Sequence, residues 1–194
     1  MELFLTLLSA AAWTIVYIDS IRIGFKQKTY CMPLFALGLN IAWEVIYSLN
    51  GFVDFSIQVV ANAIWACCDV VIVYTYFRYG KKWFPDNAKK FFTPFSILAL
   101  VTCTALQLAF YFHFPWLEAA QYSAFAQNVT MSILFVIMLY RRNSADGQSM
   151  MIAIAKWLGT LAPTLLMGVI REFNIYDVRV KRVCKNSLTY HIVP

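Results

Sequence analysis

The stretch Leu37-Gly-Leu-Asn-Ile-Ala-Trp-Glu-Val-Ile-Tyr47 sets a carboxylic acid, Glu44, in the middle of an apolar run. Around it, residues 30–49 carry no other charge and are long enough, at a rise of about 1.5 Å per residue, to cross a bilayer as a helix. An ionised carboxylate at mid-membrane costs between about 2.5 and more than 10 kcal/mol, so such a residue faces the protein interior, protonated or paired. Asn40 lies four residues before Glu44 and Tyr47 three after it. That spacing puts an amide, an acid and a phenol on one helical face.

The composition agrees with a membrane setting. Of 194 residues, 61% are hydrophobic, 17% aromatic and only 13% charged, where a soluble domain carries about 25% charged residues. The formal charge of +6 does not point to nucleic acid, because the basic residues sit between apolar segments, as cytosolic membrane loops do. The cysteines are odd in number, and Cys31, Cys67, Cys68 and Cys103 fall inside apolar segments as small hydrophobes, so neither a disulfide framework nor a metal site is expected. The run from Met1 to Ile18 has Glu2 in place of a basic start and no small-residue cleavage site, so it is expected to be a retained first span.

Six apolar segments predict an all-α polytopic helical bundle: 2–18, 30–49, 56–77, 92–112, 120–140 and 150–170. Each is continuous, not alternating, and a lone segment in lipid must bond its own backbone, so barrel strands are excluded. Basic residues crowd the first connection (Arg22, Lys26, Lys28), the third (Arg78, Lys81, Lys82, Lys89, Lys90) and the fifth (Arg141, Arg142), whereas the second holds only Asp54 and the fourth His113 and Glu118. The positive-inside rule therefore places connections 19–29, 78–91 and 141–149 in the cytosol and the N-terminus in the lumen.

The third segment holds a second acid, in Trp65-Ala-Cys-Cys-Asp-Val-Val-Ile-Val-Tyr74-Thr-Tyr76. A single such residue is explained equally by an interhelical hydrogen bond or by function, but Asp69 and Glu44 on adjacent antiparallel helices argue for a shared polar cavity. Gln107, Gln121, Gln127, Asn128 and Lys156 add polar groups at membrane depth or near its edge. Most of the aromatic residues are interfacial belt, as Trp83, Phe84 and Trp116, or core, as Trp13, Trp43 and Trp65. Rings turned inward beside Glu44 would also stabilise a cation.

After Ile170 the pattern breaks. Residues 171–194 are basic and contain no run able to span. Six crossings from a lumenal start would leave this tail in the lumen, against the charge rule. Either the tail is tolerated as short and surface-bound, or a seventh helix has been lost, and the charge conflict favours the second. The domain expected is thus 1–170, with 171–194 as an aberrant, non-spanning end.

Asn40-Ile-Ala-Trp-Glu44 with Tyr47, then Trp65, Asp69 and Tyr74 ahead of Gly80-Lys-Lys-Trp83, resemble the fungal integral-membrane terpene cyclases of the paxilline and pyripyropene type. The resemblance covers the chain to about residue 170. It implies metal-independent, non-redox cyclisation of an epoxidised prenyl chain on an aromatic, indole or pyrone head group, in secondary metabolism, by a multi-pass enzyme of the endoplasmic reticulum that needs no cofactor. It marks Glu44 and Asp69 as catalytic and Asn40, Trp43, Tyr47, Trp65 and Tyr74 as substrate-binding. The family is typically seven-helical with a further aspartate in its last helix. Asp177 lies in a charged segment and does not take that role, so the chain as written is expected to insert but to cyclise poorly.

The residue chemistry points the same way without the resemblance. Epoxide opening needs a protonated acid near the oxygen, and apolar surroundings favour a carboxyl group that keeps its proton. A water-poor, ring-lined cavity protects the carbocation that follows. Asp69 would orient Glu44 through a shared proton or hold water for the final deprotonation, and the sequence leaves both open. No Asp-Asp-x-x-Asp cluster for a magnesium diphosphate is present, and His113 and His191 are far apart in sequence. The rival class is a small transporter using Glu44 and Asp69 as a proton relay, but no internal repeat of the kind transporters carry is present.

Overall fold

The computed structural model describes residues 1–50 and 57–170. Six α-helices follow one another: α1 (Glu2–Lys26), α2 (Leu34–Asn50), α3 (Ile57–Tyr79), α4 (Phe92–His113), α5 (Trp116–Arg142) and α6 (Met150–Leu165), the last continued by a π-helical turn at Leu166–Ile170. Two 3-10 segments, Gly80–Trp83 and Asp86–Phe91, lie between α3 and α4. No strand occurs among the described residues, so the expected all-α class stands. Five of the helical stretches are long and apolar enough to cross a membrane, and the second is apolar but shorter. Its 17 residues rise about 26 Å against a hydrocarbon thickness of roughly 30 Å. Exposed Ile97, Leu98 and Val101 on α4 and Ile133, Val136 and Ile137 on α5 give these helices outer faces suited to lipid. The expectations for Asp54 and for the tail with Asp177 fall outside the described residues.

Helix ends follow the local chemistry. Pro33 and Pro115 stand directly ahead of α2 and α5, where a missing N–H costs nothing, and their carbonyls accept the first helical bonds from Leu37 and Ala119 at 2.9 and 2.8 Å. Helix α5 closes on Asn143, whose left-handed backbone (φ 48°) turns its N–H back to the Leu139 carbonyl. The first helix departs from expectation: it does not stop near residue 18 but runs to Lys26. The reason is that Asp19 is neutralised in place, by Arg22 one turn on at 2.5 Å and by the Ser149 hydroxyl at 2.7 Å, so the charge does not break the helix.

Contacts divide the described residues into two compact units, a larger one within 14–155 and a smaller one of 1–13 with 156–170. In the larger unit the three basic connections meet at one end, as the charge pattern requires of loops on one side of a membrane. The Arg142 guanidinium lies over the rings of Tyr30 at 4.2 Å and Trp83 at 4.6 Å and donates to the Tyr30 carbonyl. Trp83 donates to the Thr29 hydroxyl at 3.0 Å, and the Gly147 N–H to Gln27 Oε1 at 2.7 Å. Only glycine fits at 147: φ is +77°, and a Cβ would stand 2.4 Å from the Tyr30 carbonyl oxygen.

In the smaller unit, Pro163 inside α6 has no N–H for the Gly159 carbonyl one turn earlier. That carbonyl is satisfied from α1 instead, by the Ser9 hydroxyl at 2.8 Å and Trp13 Nε1 at 3.2 Å. Gly159 permits the approach, since a Cβ there would touch the Trp13 indole at 3.0 Å. Leu5, Ala162 and Leu166 close the core beside them.

Candidate active site

The larger unit gathers its buried polar groups around Asn40. Asn40 and Glu44 project from the same face of α2 at the i, i+4 spacing, Tyr17 reaches them from α1, and Asp69 from α3. All four are buried, Glu44 to 2% exposure and Asp69 completely. Asn40 Nδ2 lies within bonding distance of three acceptors: Tyr17 Oη at 2.6 Å, Asp69 Oδ2 at 2.9 Å and Glu44 Oε1 at 3.0 Å. The Tyr17 hydroxyl in turn donates to Glu44 Oε1.

The two carboxyl groups share the Asn40 amide nitrogen as a donor. Their remaining oxygens, Glu44 Oε2 and Asp69 Oδ1, are buried and receive no N–H or O–H from the described residues. Since Oε1 already accepts from two donors, a proton carried by Glu44 belongs on Oε2.

Close packing supplies the rest of the cluster. Gly38 lets α4 approach α2, for a Cβ there would lie 3.0 Å from Cys103 Sγ and 3.1 Å from Leu100. Half a dozen ångströms of α4 further on, Gln107 Nε2 donates to the Leu39 carbonyl at 3.1 Å and to Gln127 Oε1 of α5 at 2.7 Å. Gln127 Nε2 donates to Asn40 Oδ1 at 3.3 Å. Asn128, by contrast, turns back on its own helix, to the Ala124 carbonyl.

Of the residues predicted from sequence, Asn40, Glu44 and Asp69 meet directly. Trp65 joins through Tyr17, its ring stacked on the phenol at 6.0 Å between centroids and 22° between planes. Trp43 and Tyr47 form a ring pair at 5.0 Å, with Trp43 Nε1 bonded to the Ala120 carbonyl of α5. Tyr74 is the exception: it is 55% exposed and lies against Phe25 at 6.2 Å, on a different face of α3 from Asp69. Tyr17 was not foreseen, since one tyrosine in an apolar first helix looks like any interfacial ring.

Comparisons with known proteins find relatives for the chain. A family model described as Pyr4-like transmembrane terpene cyclases matches residues 1–179. The Pyr4-family terpene cyclase mfmH of Annulohypoxylon moriforme is 28% identical, over 84% of this chain and 68% of that protein. Terpene cyclase ascF of Acremonium egyptiacum is 31% identical (77% and 60%), and terpene cyclase macJ of Penicillium terrestre 32% (81% and 62%). The chain thus spans 60–68% of the length of these three relatives. No solved structure matches it.

Proposed function

The chain belongs to the Pyr4-like transmembrane terpene cyclases, and from that premise we propose that it cyclises an epoxidised prenyl chain carried on an aromatic, indole or pyrone head group, with Glu44 as proton donor and Asp69 as its partner. The observation that carries this reading is the convergence of two carboxyl groups from α2 and α3 on one amide nitrogen, each keeping a buried oxygen that no other described group engages.

Glu44 gives its proton to the epoxide oxygen. The C–O bond breaks with both electrons going to oxygen, which becomes a hydroxyl, and a carbocation is left on the chain. Alkene electrons then close the rings, and loss of a proton from carbon to the Asp69 carboxylate, directly or through a held water, ends the sequence, so that no oxidant or reductant is consumed. The carboxylate left on Glu44 is held by the Tyr17 hydroxyl and the Asn40 amide, donors already aimed at Oε1 before the charge forms. Asp69, which shares the same amide, returns that proton to the Glu44 carboxylate and resets the site. The faces of Trp43, Tyr47 and Trp65 offer cation–π stabilisation to the moving positive charge. Tyr74 has no part in this scheme.

The membrane proposed is that of the endoplasmic reticulum, with the N-terminus lumenal. The test is turnover in microsomes given epoxyprenyl phenols, indoles and pyrones. Glu44→Gln should abolish cyclised product at matched expression, and undiminished product would overturn the assignment. If Asp69→Asn leaves turnover untouched while Glu44→Gln abolishes it, Glu44 acts alone.

A further inference from the structure

We infer that Gln107 and Gln127 are positioning residues, a two-amide relay that fixes which end of Asn40 faces the acids and so prepares Glu44 for proton transfer. The inference rests on the reading of Glu44 given above and deepens it.

An asparagine amide has a donor end and an acceptor end of nearly equal size, so packing alone does not choose between them. The choice matters here. With Nδ2 toward the acids, Asn40 serves Tyr17 Oη, Glu44 Oε1 and Asp69 Oδ2. Turned over, it would press an oxygen against two carboxyl oxygens and withdraw every hydrogen bond it gives them.

The orientation is set at a distance by a group that has only one polarity. The Leu39 backbone carbonyl can only accept, so the amide of Gln107 must turn its nitrogen that way, as the 3.1 Å contact shows. The same nitrogen donates to Gln127 Oε1, which commits Gln127 to presenting its oxygen to α4 and its nitrogen to Asn40 Oδ1. Asn40 is then left with its nitrogen toward the acids. Donors thus point in one direction from α4 through α5 to α2, and on to Tyr17 of α1 and Asp69 of α3. All three amide side chains are 5% exposed or less, so water is not available to compensate a reversed link. Gln107 Oε1 is buried with no partner. An amide kept for packing would be expected to use both ends, whereas this one is used as a donor.

The experiment uses the full chain in lipid, with Gln127→Leu and Gln107→Leu as near-isosteric breaks in the relay. Cys103→Ala is the control, because its thiol bridges the same two helices as Gln107 to the Phe35 carbonyl but lies outside the relay. Infrared spectroscopy supplies a readout that needs no substrate: the carboxylic C=O stretch that disappears in Glu44→Gln. A carbonyl that loses hydrogen-bond donors absorbs at higher frequency. Both glutamine variants should shift this band upward and Cys103→Ala should leave it in place, while circular dichroism confirms helix content. With the epoxyprenyl panel, kcat should fall about tenfold in each glutamine variant with KM unchanged, as for an interaction that serves the transition state. Gln107→Leu is decisive should Gln127→Leu fail to fold, since it touches neither Asn40 nor the acids. An unmoved band and unchanged kcat in the glutamine variants, beside an inactive Glu44→Gln, would overturn the relay and leave the acid assignment intact. Full turnover in Glu44→Gln would instead overturn the assignment and the relay's purpose together, and so would the absence of any Glu44-dependent carbonyl band.

Discussion

Replacing Tyr17 by phenylalanine removes one oxygen atom from the centre of the site and leaves its ring stacked on Trp65. The folded state loses the bond that Tyr17 gives to Glu44 Oε1 and the one it accepts from Asn40. Asn40 Nδ2 keeps Glu44 and Asp69 as acceptors, so no buried donor is orphaned. Interhelical hydrogen bonds in membrane proteins contribute about 0.6 kcal/mol on average, so the protein should still fold. Catalysis is more sensitive. A hydrogen bond to a charged group is worth about 1.5–3 kcal/mol, and in the proposed mechanism Glu44 becomes charged as it gives up its proton. At about 1.4 kcal/mol per decade, kcat should fall roughly 10- to 150-fold, with KM little changed because the proposed mechanism gives the phenol to Glu44 and not to the substrate. The assay is initial-rate formation of cyclised product in microsomes at matched protein level. A kcat within twofold of wild type would show that the Glu44 carboxylate does not develop against Tyr17, and a rise in KM alone would place the phenol in substrate binding.

Other perturbations test other parts of the structure. Gly147→Ala forces a Cβ into a left-handed residue already against the Tyr30 carbonyl; a loss of at least about 1–2 kcal/mol is expected, measured as a lower midpoint in thermal unfolding in detergent. Ser9→Ala should be mild, because Trp13 still satisfies the Gly159 carbonyl, whereas Ser9→Ala with Trp13→Phe should cost more than the sum of the two single changes. A cysteine introduced at Ser144 should be labelled by a membrane-impermeant reagent added from the cytosolic side, and one introduced near Asp54 should not; the opposite pattern would invert the topology.

Much of this fold was legible from hydropathy, because a helix in lipid must bond its own backbone and its length is set by the bilayer. The end of α1 was not, since the pairing of Asp19 with Ser149 depends on a contact across 130 positions of sequence. Within the site, Asn40 and Glu44 could be joined by spacing alone, and so could Trp65 and Asp69, four residues apart. Tyr74 follows Asp69 by five residues, and at about 100° per residue it points roughly 140° away from the acid. That angle was available from the sequence and explains its exposed position. Tyr17, Gln107 and Gln127 belong to three different helices, and only the rotation of each helix against its neighbours brings them to Asn40. Periodicity does not encode that rotation when apolar residues surround every face.

The network around Asn40 also has an order in time. Its members are translated over more than a hundred residues, Tyr17 first and Gln127 last, so α2 is made before two of the groups that satisfy it, Asp69 and Gln127. During synthesis this short helix carries an acid and an amide that have Tyr17 and each other but not yet Asp69 or Gln127, and an acid left charged in lipid costs at least about 2.5 kcal/mol. A nascent chain ending after α2 should therefore leave that segment exchanging between lipid and water, and only the arrival of α5 makes its insertion final. On the proposed reading, the polarity that serves proton transfer would delay commitment of the second helix until the fifth has been made.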